Sequence, residues 1–264
     1  MKSILPRGTR YGLALLIPLT LAAAEPAHAQ QSDFVVPNEI PAVPNPSVVG
    51  DPSANEVVSR VLAENKRRNE RLQSYAVTRT YEIRTREGKL AAQTVVYMEY
   101  RAPDNKKFEK RSEKGSGIVR HMVFDRLMDS EGETASGKEH RDSALTSANY
   151  EFHLVGEEDI GTHHCFVLNV APRRKDKYLF EGSVWIESHD FAVVKIAGHP
   201  AKKPSFWINR ADFVREYQKV DEFWLPLRDE TQVDVKIYGK RVLTIEHGPY
   251  VFPPEPQRGA DQVN

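Results

Sequence analysis

The run His163-His164-Cys165 brings three residue types that bind transition metals into one segment. On a strand, successive side chains face opposite ways, so His163 and Cys165 share a face and His164 turns away with Phe166 and Leu168. Two converging ligands fall short of the three or four that a zinc site needs, and no second spaced His/Cys cluster accompanies them. Gly132-Glu-Thr-Ala-Ser-Gly137-Lys138 has the spacing of a phosphate loop. The next residue, however, is Glu139 where a magnesium site needs Ser or Thr, and residues 139–144 make a poor helix to receive a phosphate. Nucleophilic catalysis lacks a Gly-x-Ser-x-Gly elbow, and Cys165 has no sequence cue that lowers a thiol pKa. His189-Asp190 reads as turn chemistry, and Glu157-Glu158 as part of a loop, where neighbouring carboxylates do not aim at one point. These patterns predict a non-enzymatic protein without metal or cofactor.

The aromatic residues are the stronger signal. Trp185, Phe206, Trp207, Phe213, Tyr217, Phe223 and Trp224 crowd into residues 185–224. In one long strand candidate Trp207, Ala211, Phe213 and Tyr217 share a parity, with Asn209 and Arg215 between them. Large aromatics on the concave side of a curved sheet either fill the core or line an apolar cavity. The charge balance suits either use. Lys plus Arg total 37 and Asp plus Glu total 37, which excludes nucleic-acid binding through a global positive field. One cysteine excludes an internal disulfide framework.

The elements that must position these residues follow from periodicity. Residues 1–29 read as a cleavable signal peptide: Lys2, Arg7 and Arg10, an apolar run over 11–24, then Ala27-His28-Ala29. The run is too short to span a bilayer, so the exported chain is expected without a membrane span. Its removal takes three basic residues and one acid and leaves a net charge of −2. Residues 30–53 hold Pro37, Pro41, Pro44, Pro46 and Pro52, an extended lead. Ser53-Ala-Asn-Glu56 is a capping box that opens a helix over about 54–73, whose basic cluster Lys66–Arg71 reads as a solvated face. Period-two segments then predict strands beginning near Tyr75, Thr94, Lys107, Ile118, Tyr150, His163, Gly182, Phe191, Phe206, Phe223 and Arg241. Short hops between them make the sheet antiparallel. The polar stretch over 129–147, with a short helix near 143–147, is the remaining candidate for a lid, and residues 253–264 for a flexible tail. The fold class is α+β: a strongly curved antiparallel sheet of about eleven strands, a half-open barrel, with an N-terminal helix and a short lid.

Gly161-Thr-His-His-Cys-Phe-Val-Leu168, Pro172, Gly182-Ser-Val-Trp-Ile-Glu187 and Phe191-Ala-Val-Val-Lys195 together resemble the central strands of outer-membrane lipoprotein-sorting proteins, the periplasmic carriers related to LolA and LolB. Glu216-Tyr217, Phe223-Trp-Leu-Pro-Leu227 and Val242 to Tyr250 look similar to later strands of that family. Tyr100-Arg101-Ala-Pro103 with Phe108 resembles the strand end where carriers have Arg-Pro and then an aromatic, with Ala102 intervening here. Over residues 54–252 the resemblance implies an eleven-stranded half-barrel closed by helices around an apolar cavity. It implies an exported periplasmic carrier of a lipid or lipoprotein acyl chain, with lipoproteins or an envelope protein as partners. The alternative within the same fold is a periplasmic sensor that binds a protein partner. Candidate ligand-binding residues are Trp207, Phe213, Tyr217, Trp185, Tyr97 and Arg101. Intact mass spectrometry of the exported protein should give a chain beginning at Gln30; a mass that retains residues 1–29 would overturn the reading of the signal peptide.

Overall fold

The computed structural model describes residues 52–133, 144–176, 178–203, 206, 208–236 and 239–253. The expected signal peptide, most of the expected proline-rich lead and most of the expected tail lie outside them, as do Trp207 and residues 134–138 of the phosphate-loop pattern. Helix α1 (Ala54–Arg71) starts on the predicted capping box: Glu56 N–H donates to Ser53 Oγ, and Ser53 N–H donates to Glu56 Oε2 at 2.9 Å. Ten strands follow: β1 (Ser74–Thr85), β2 (Leu90–Arg101), β3 (Asn105–Gly115), β4 (Tyr150–Ile160), β5 (His163–Pro172), β6 (Phe180–Glu187), β7 (Ala192–Pro200), β8 (Ile208–Val220), β9 (Phe223–Val235) and β10 (Gly239–Val251). All neighbours are antiparallel, in the order β3-β2-β1-β10-β9-β8-β7-β6-β5-β4. Register shifts in β1, β2, β4, β6, β8 and their partners add local twist, which helps an open sheet of ten strands curl into a half-barrel.

The eleventh strand candidate, Ile118 to Phe124, is helical. Short α2 (Gly117–Val119), a π-helical turn (Arg120–Asp125) and α3 (Arg126–Glu133) run on from one another. A short apolar run cannot be told from a buried helix segment by periodicity alone. Here Val119 N–H donates to Ser116 Oγ at the start, and Phe124, Leu127 and Met128 are buried at helical spacing. The short helix predicted near 143–147 is instead a turn among its described residues, with Ala144 and Leu145 buried. Glu157-Glu158 belongs to β4 rather than to a loop. An edge strand tolerates such charges because one side of it faces no partner strand.

Strands β3 and β4 are opposite edges of the sheet, so the chain between them must return from one edge to the other. Its described residues cover the buried face. Phe124, Leu127 and Met128 pack on Tyr81, Ile83, Val96, Ala211, Val233, Leu243 and Ile245. Leu145 joins a second cluster with Val57, Val58 and Val61 of α1 and residues of β4–β8. The C-terminal end of α1 is fastened to the β6–β7 turn: Arg68, 8% exposed, donates to the carbonyls of Asp190 and Phe191. Of the predicted solvated basic face Arg68 is thus structural, while Arg67 and Arg71 stay exposed and pair at the surface with Glu64 and Glu222. Among the described residues no helix is long and apolar enough to cross a membrane.

Gly182 and Gly198 face each other across β6 and β7. A Cβ on Gly198 would strike the Glu181 backbone, and one on Gly182 the backbone of Ala197 and Gly198. Gly198→Ala should therefore lower the unfolding free energy by about 1–3 kcal/mol in chemical denaturation; an unchanged midpoint would contradict this close approach.

Candidate functional site

Strand alternation puts residues of one parity on the covered face, and several of those are charged. In β1 the buried series is Tyr75, Val77, Arg79, Tyr81 and Ile83. In β8 it is Ala211, Phe213 and Arg215, and in β10 Leu243, Ile245 and His247. Arg79 lies opposite His247, and Arg215 opposite Asp229 of β9. A polar row therefore crosses four adjacent strands, β1-β10-β9-β8, through the apolar inner face.

The row is tied together and to the crossing helix by ion pairs. Arg79 Nη1 donates to Glu131 Oε2 of α3 at 2.8 Å, and Lys106 Nζ of β3 to Glu131 Oε1 at 2.7 Å. One carboxylate thus clamps two strands beneath the helix. Arg79 also donates to the Tyr81 hydroxyl at 3.5 Å. Further along, Arg215 Nε lies 3.2 Å from Asp229 Oδ1, and the His247 ring sits between Asp229 and the Tyr250 hydroxyl. Arg79 is 4% exposed, Arg215 7% and His247 8%. Tyr75 stacks on Tyr100 at 5.0 Å and meets Tyr250 edge-on, closing one end of the row.

Burial and charge pull the titrations in opposite directions. Burial alone would push the Glu131 carboxyl up, but Arg79 and then Lys106 hold it well below the usual carboxylate range. Burial works against the Arg79 charge, and Glu131 with Tyr81 and Tyr75 outweighs it and raises the pKa. Tyr75, Tyr81 and Tyr217 are each pushed up to about 12, chiefly by burial. For His247 burial wins over the Asp229 hydrogen bond, so the neutral ring is favoured.

The structure separates the six residues singled out from sequence. Phe213 lies in the cluster beneath α1, edge-on to Phe180 at 5.6 Å. Tyr217 is half-buried against the same cluster, with Arg215 between the two along β8. Trp185 is on the outer face, opposite in parity to buried Val184 and Ile186; its Nε1 donates to Glu158 at 2.7 Å and Lys195 Nζ lies 4.8 Å from its ring centroid. Tyr97 is also on the outer face, under the Arg111 guanidinium at 5.1 Å. Arg101 is exposed at the end of β2. Trp207 lies outside the described residues. A register shift between Ile208 and Arg210 turns Asn209 outward and breaks the parity predicted for it.

Sequence reading passed over Arg79, Lys106, Glu131, Asp229 and His247. A signal was present for two of them. Arg79 stands between Val77 and Tyr81, and His247 follows Leu243 and Ile245, each a charged or titratable residue at a core position of a period-two run. The histidine–cysteine run forms no convergent set. Both ring nitrogens of exposed His164 face carboxylates, Asp159 at 2.7 Å and Glu157 at 3.0 Å, which raise its pKa. The His163 ring meets Trp224 edge-on, and burial pushes the Cys165 thiol up to about 11. Among the described residues no group of three or more His, Cys, Asp or Glu could hold a metal ion. An outer groove of about 530 Å³ runs past Glu82, Arg84, Arg228, Glu230 and Glu246, and these charges pair among themselves.

Two measurements follow. Glu131→Gln leaves Arg79 buried with a neutral partner and should cost about 3 kcal/mol in chemical denaturation; a loss within the scatter of surface substitutions would show that the clamp holds nothing. His247 has a folded-state pKa below its unfolded value of about 6.5, so its contribution to stability is complete above that pH and is lost as pH falls through it. Over that descent His247→Gln should lose less stability than the natural protein; parallel curves would refute the assignment.

Solved structures similar to the chain share a low identity. A LolA superfamily protein from Nitrosomonas europaea is 11% identical with a TM-score of 0.35, covering 77% of this chain and 95% of its own. An outer membrane lipoprotein-sorting protein domain from Vibrio parahaemolyticus is 13% identical with a TM-score of 0.36, covering 75% of this chain and 93% of its own. A chain of the Pseudomonas aeruginosa MucA/MucB complex is 13% identical with a TM-score of 0.28, covering 74% and 93%. Likenesses this distant assign no residue a role. No curated protein matches the chain. A model of a family described as of unknown function, DUF5686, matches residues 56–244.

Proposed function

The chain belongs to the DUF5686 family of unknown function, and from its geometry we propose an exported, periplasmic, non-enzymatic protein that holds an apolar ligand, a lipid or lipoprotein acyl chain, on the inner face of its half-barrel. The observation that carries this reading is the segment over residues 117–133. It buries Phe124, Leu127 and Met128 on an apolar inner face, and its described ion pairs to the strands are those of Glu131 with Arg79 and Lys106, Asp125 with Lys110 and Arg120 with Glu113. Lifting it uncovers Tyr81, Ile83, Val96, Leu243 and Ile245 together. An acyl chain laid there gains about 0.8 kcal/mol per methylene removed from water, which supplies affinity with no reacting group. The interior acids support binding over catalysis. Glu131 and Asp229 are both engaged by cations, and Glu131 is held far below the range in which a carboxyl exchanges protons at neutral pH.

A second reading, a periplasmic sensor that binds a protein, draws on a different observation. Ile118 is 74% and Met122 51% exposed, one helical turn apart on the outside of the same segment. The two readings differ in what comes away with the protein. Native mass spectrometry of protein recovered from its own envelope should show lipid adducts, and a fluorescent fatty-acid probe should bind the delipidated form. Ligand-free protein that binds no probe would overturn the carrier reading; co-purification of one membrane protein through Ile118 and Met122 would favour the sensor.

A further inference from the structure

Among the described residues the charges of this polar row do not balance. Three permanent cations, Arg79, Lys106 and Arg215, meet two carboxylates, Glu131 and Asp229. Glu131 is shared by two of the cations, and Asp229 is the facing acid of the third. Hydrogen bonding is incomplete at the same place. A guanidinium offers five N–H donors in a fixed fork. Among the described residues Arg215 makes no hydrogen bond: its buried Nε approaches Asp229 without hydrogen-bond geometry, and its guanidinium lies 5.3 Å from the Phe213 ring centroid. The Nε of Arg79 is likewise buried with no acceptor. Buried donors left without acceptors are costly, and arginine forks match carboxylate and phosphate oxygens.

The surroundings narrow the kind of anion. Arg215 lies between Phe213 and Tyr217 of the cluster under α1, and Arg79 between Val77 and Tyr81 beside the cluster under α3. His247 and Asp229 connect the two arginines across the sheet. A small free anion would satisfy the donors and leave the flanking apolar faces unused. An amphiphile would use both.

We propose that Arg215 and Arg79 receive the anionic headgroup, a carboxylate or a phosphate, of an amphiphile whose chain lies against the flanking apolar clusters. This deepens the carrier reading and rests on it. The headgroup exchanges its hydration for guanidinium donors already held in place by Asp229 and Glu131, so little reorganisation accompanies binding. It also cancels the surplus charge of the row's described residues.

Ligands that share a chain and differ only in the headgroup test this. Calorimetric affinities of the delipidated mature protein are compared for dodecanoate, dodecyl phosphate, dodecan-1-ol and inorganic phosphate. At least one of the two anionic amphiphiles should bind about ten- to a hundredfold more tightly than the alcohol, the span of a charge-assisted hydrogen bond. Inorganic phosphate alone should bind far more weakly than dodecyl phosphate. In Arg215→Met the preference for the anion should collapse towards unity, and Arg215→Lys should restore part of it. Equal affinity for the alcohol and both anions in the natural protein would overturn the headgroup assignment and leave the carrier reading standing. Binding of none of the amphiphiles would overturn both. Phosphate binding as tightly as dodecyl phosphate would replace the amphiphile with a free anion. The headgroup comparison uses the natural protein, so it decides the matter even where an Arg215 variant fails to fold.

Discussion

The carboxylate of Glu131, gripped by Arg79 and Lys106, is the interaction on which the covered face depends. Arg79 stands on the core row of β1, where an uncompensated guanidinium would be too costly to bury. Its compensation comes from outside the sheet, from a helix that begins after the edge strand β3. Seating that helix and neutralising that arginine are therefore one event. The apolar contacts of Phe124, Leu127 and Met128 supply attraction, and the ion pair supplies register, because a carboxylate can bridge the two cations only from one position.

This arrangement follows from the sheet's topology. The first three strands and the last seven are two meanders joined where β1 meets β10, which leaves β3 and β4 as the free edges. Both edges are charged, β3 with Lys106, Lys107, Lys110, Arg111 and Lys114, and β4 with Glu157, Glu158 and Asp159, which discourages further strand addition. The described residues of the chain that links these edges cover part of the inner face, and α1 covers another part. Three apolar clusters among the described residues are the result; the polar row passes between two of them at β1, where Val77 and Tyr81 belong to different clusters, and runs into the third at β8.

Much of the fold was legible in local sequence. The capping box at Ser53 and Glu56 acts within one turn, and its hydrogen bonds form as its spacing requires. Ten of the eleven strand candidates are strands, because alternation between a buried and an open face is a property of each strand by itself. Ile118 to Phe124 departs because an apolar run of that length fits either a strand or a helix, and only the buried trio Phe124, Leu127 and Met128 seated on β1, β8, β9 and β10 decides between them. The site was less legible. Phe213 and Tyr217 share the inner face as their spacing implies, while Trp185 and Tyr97 stand on strands whose inward parity belongs to Val184, Ile186, Val96 and Met98.

The sequence by itself determined the helix start, the antiparallel strand plan and the class of fold, since each depends on residues a few positions apart. Only the tertiary structure decided that Arg79 meets Glu131 across 52 positions and that Arg215 lies beside Asp229 and, through it, His247. Those partners are set by strand order, register shifts and the path of the crossing helix. A charge on a core row is visible in the sequence as an exception to alternation; what neutralises it, and what it leaves unneutralised, depends on which distant strand or helix is brought alongside.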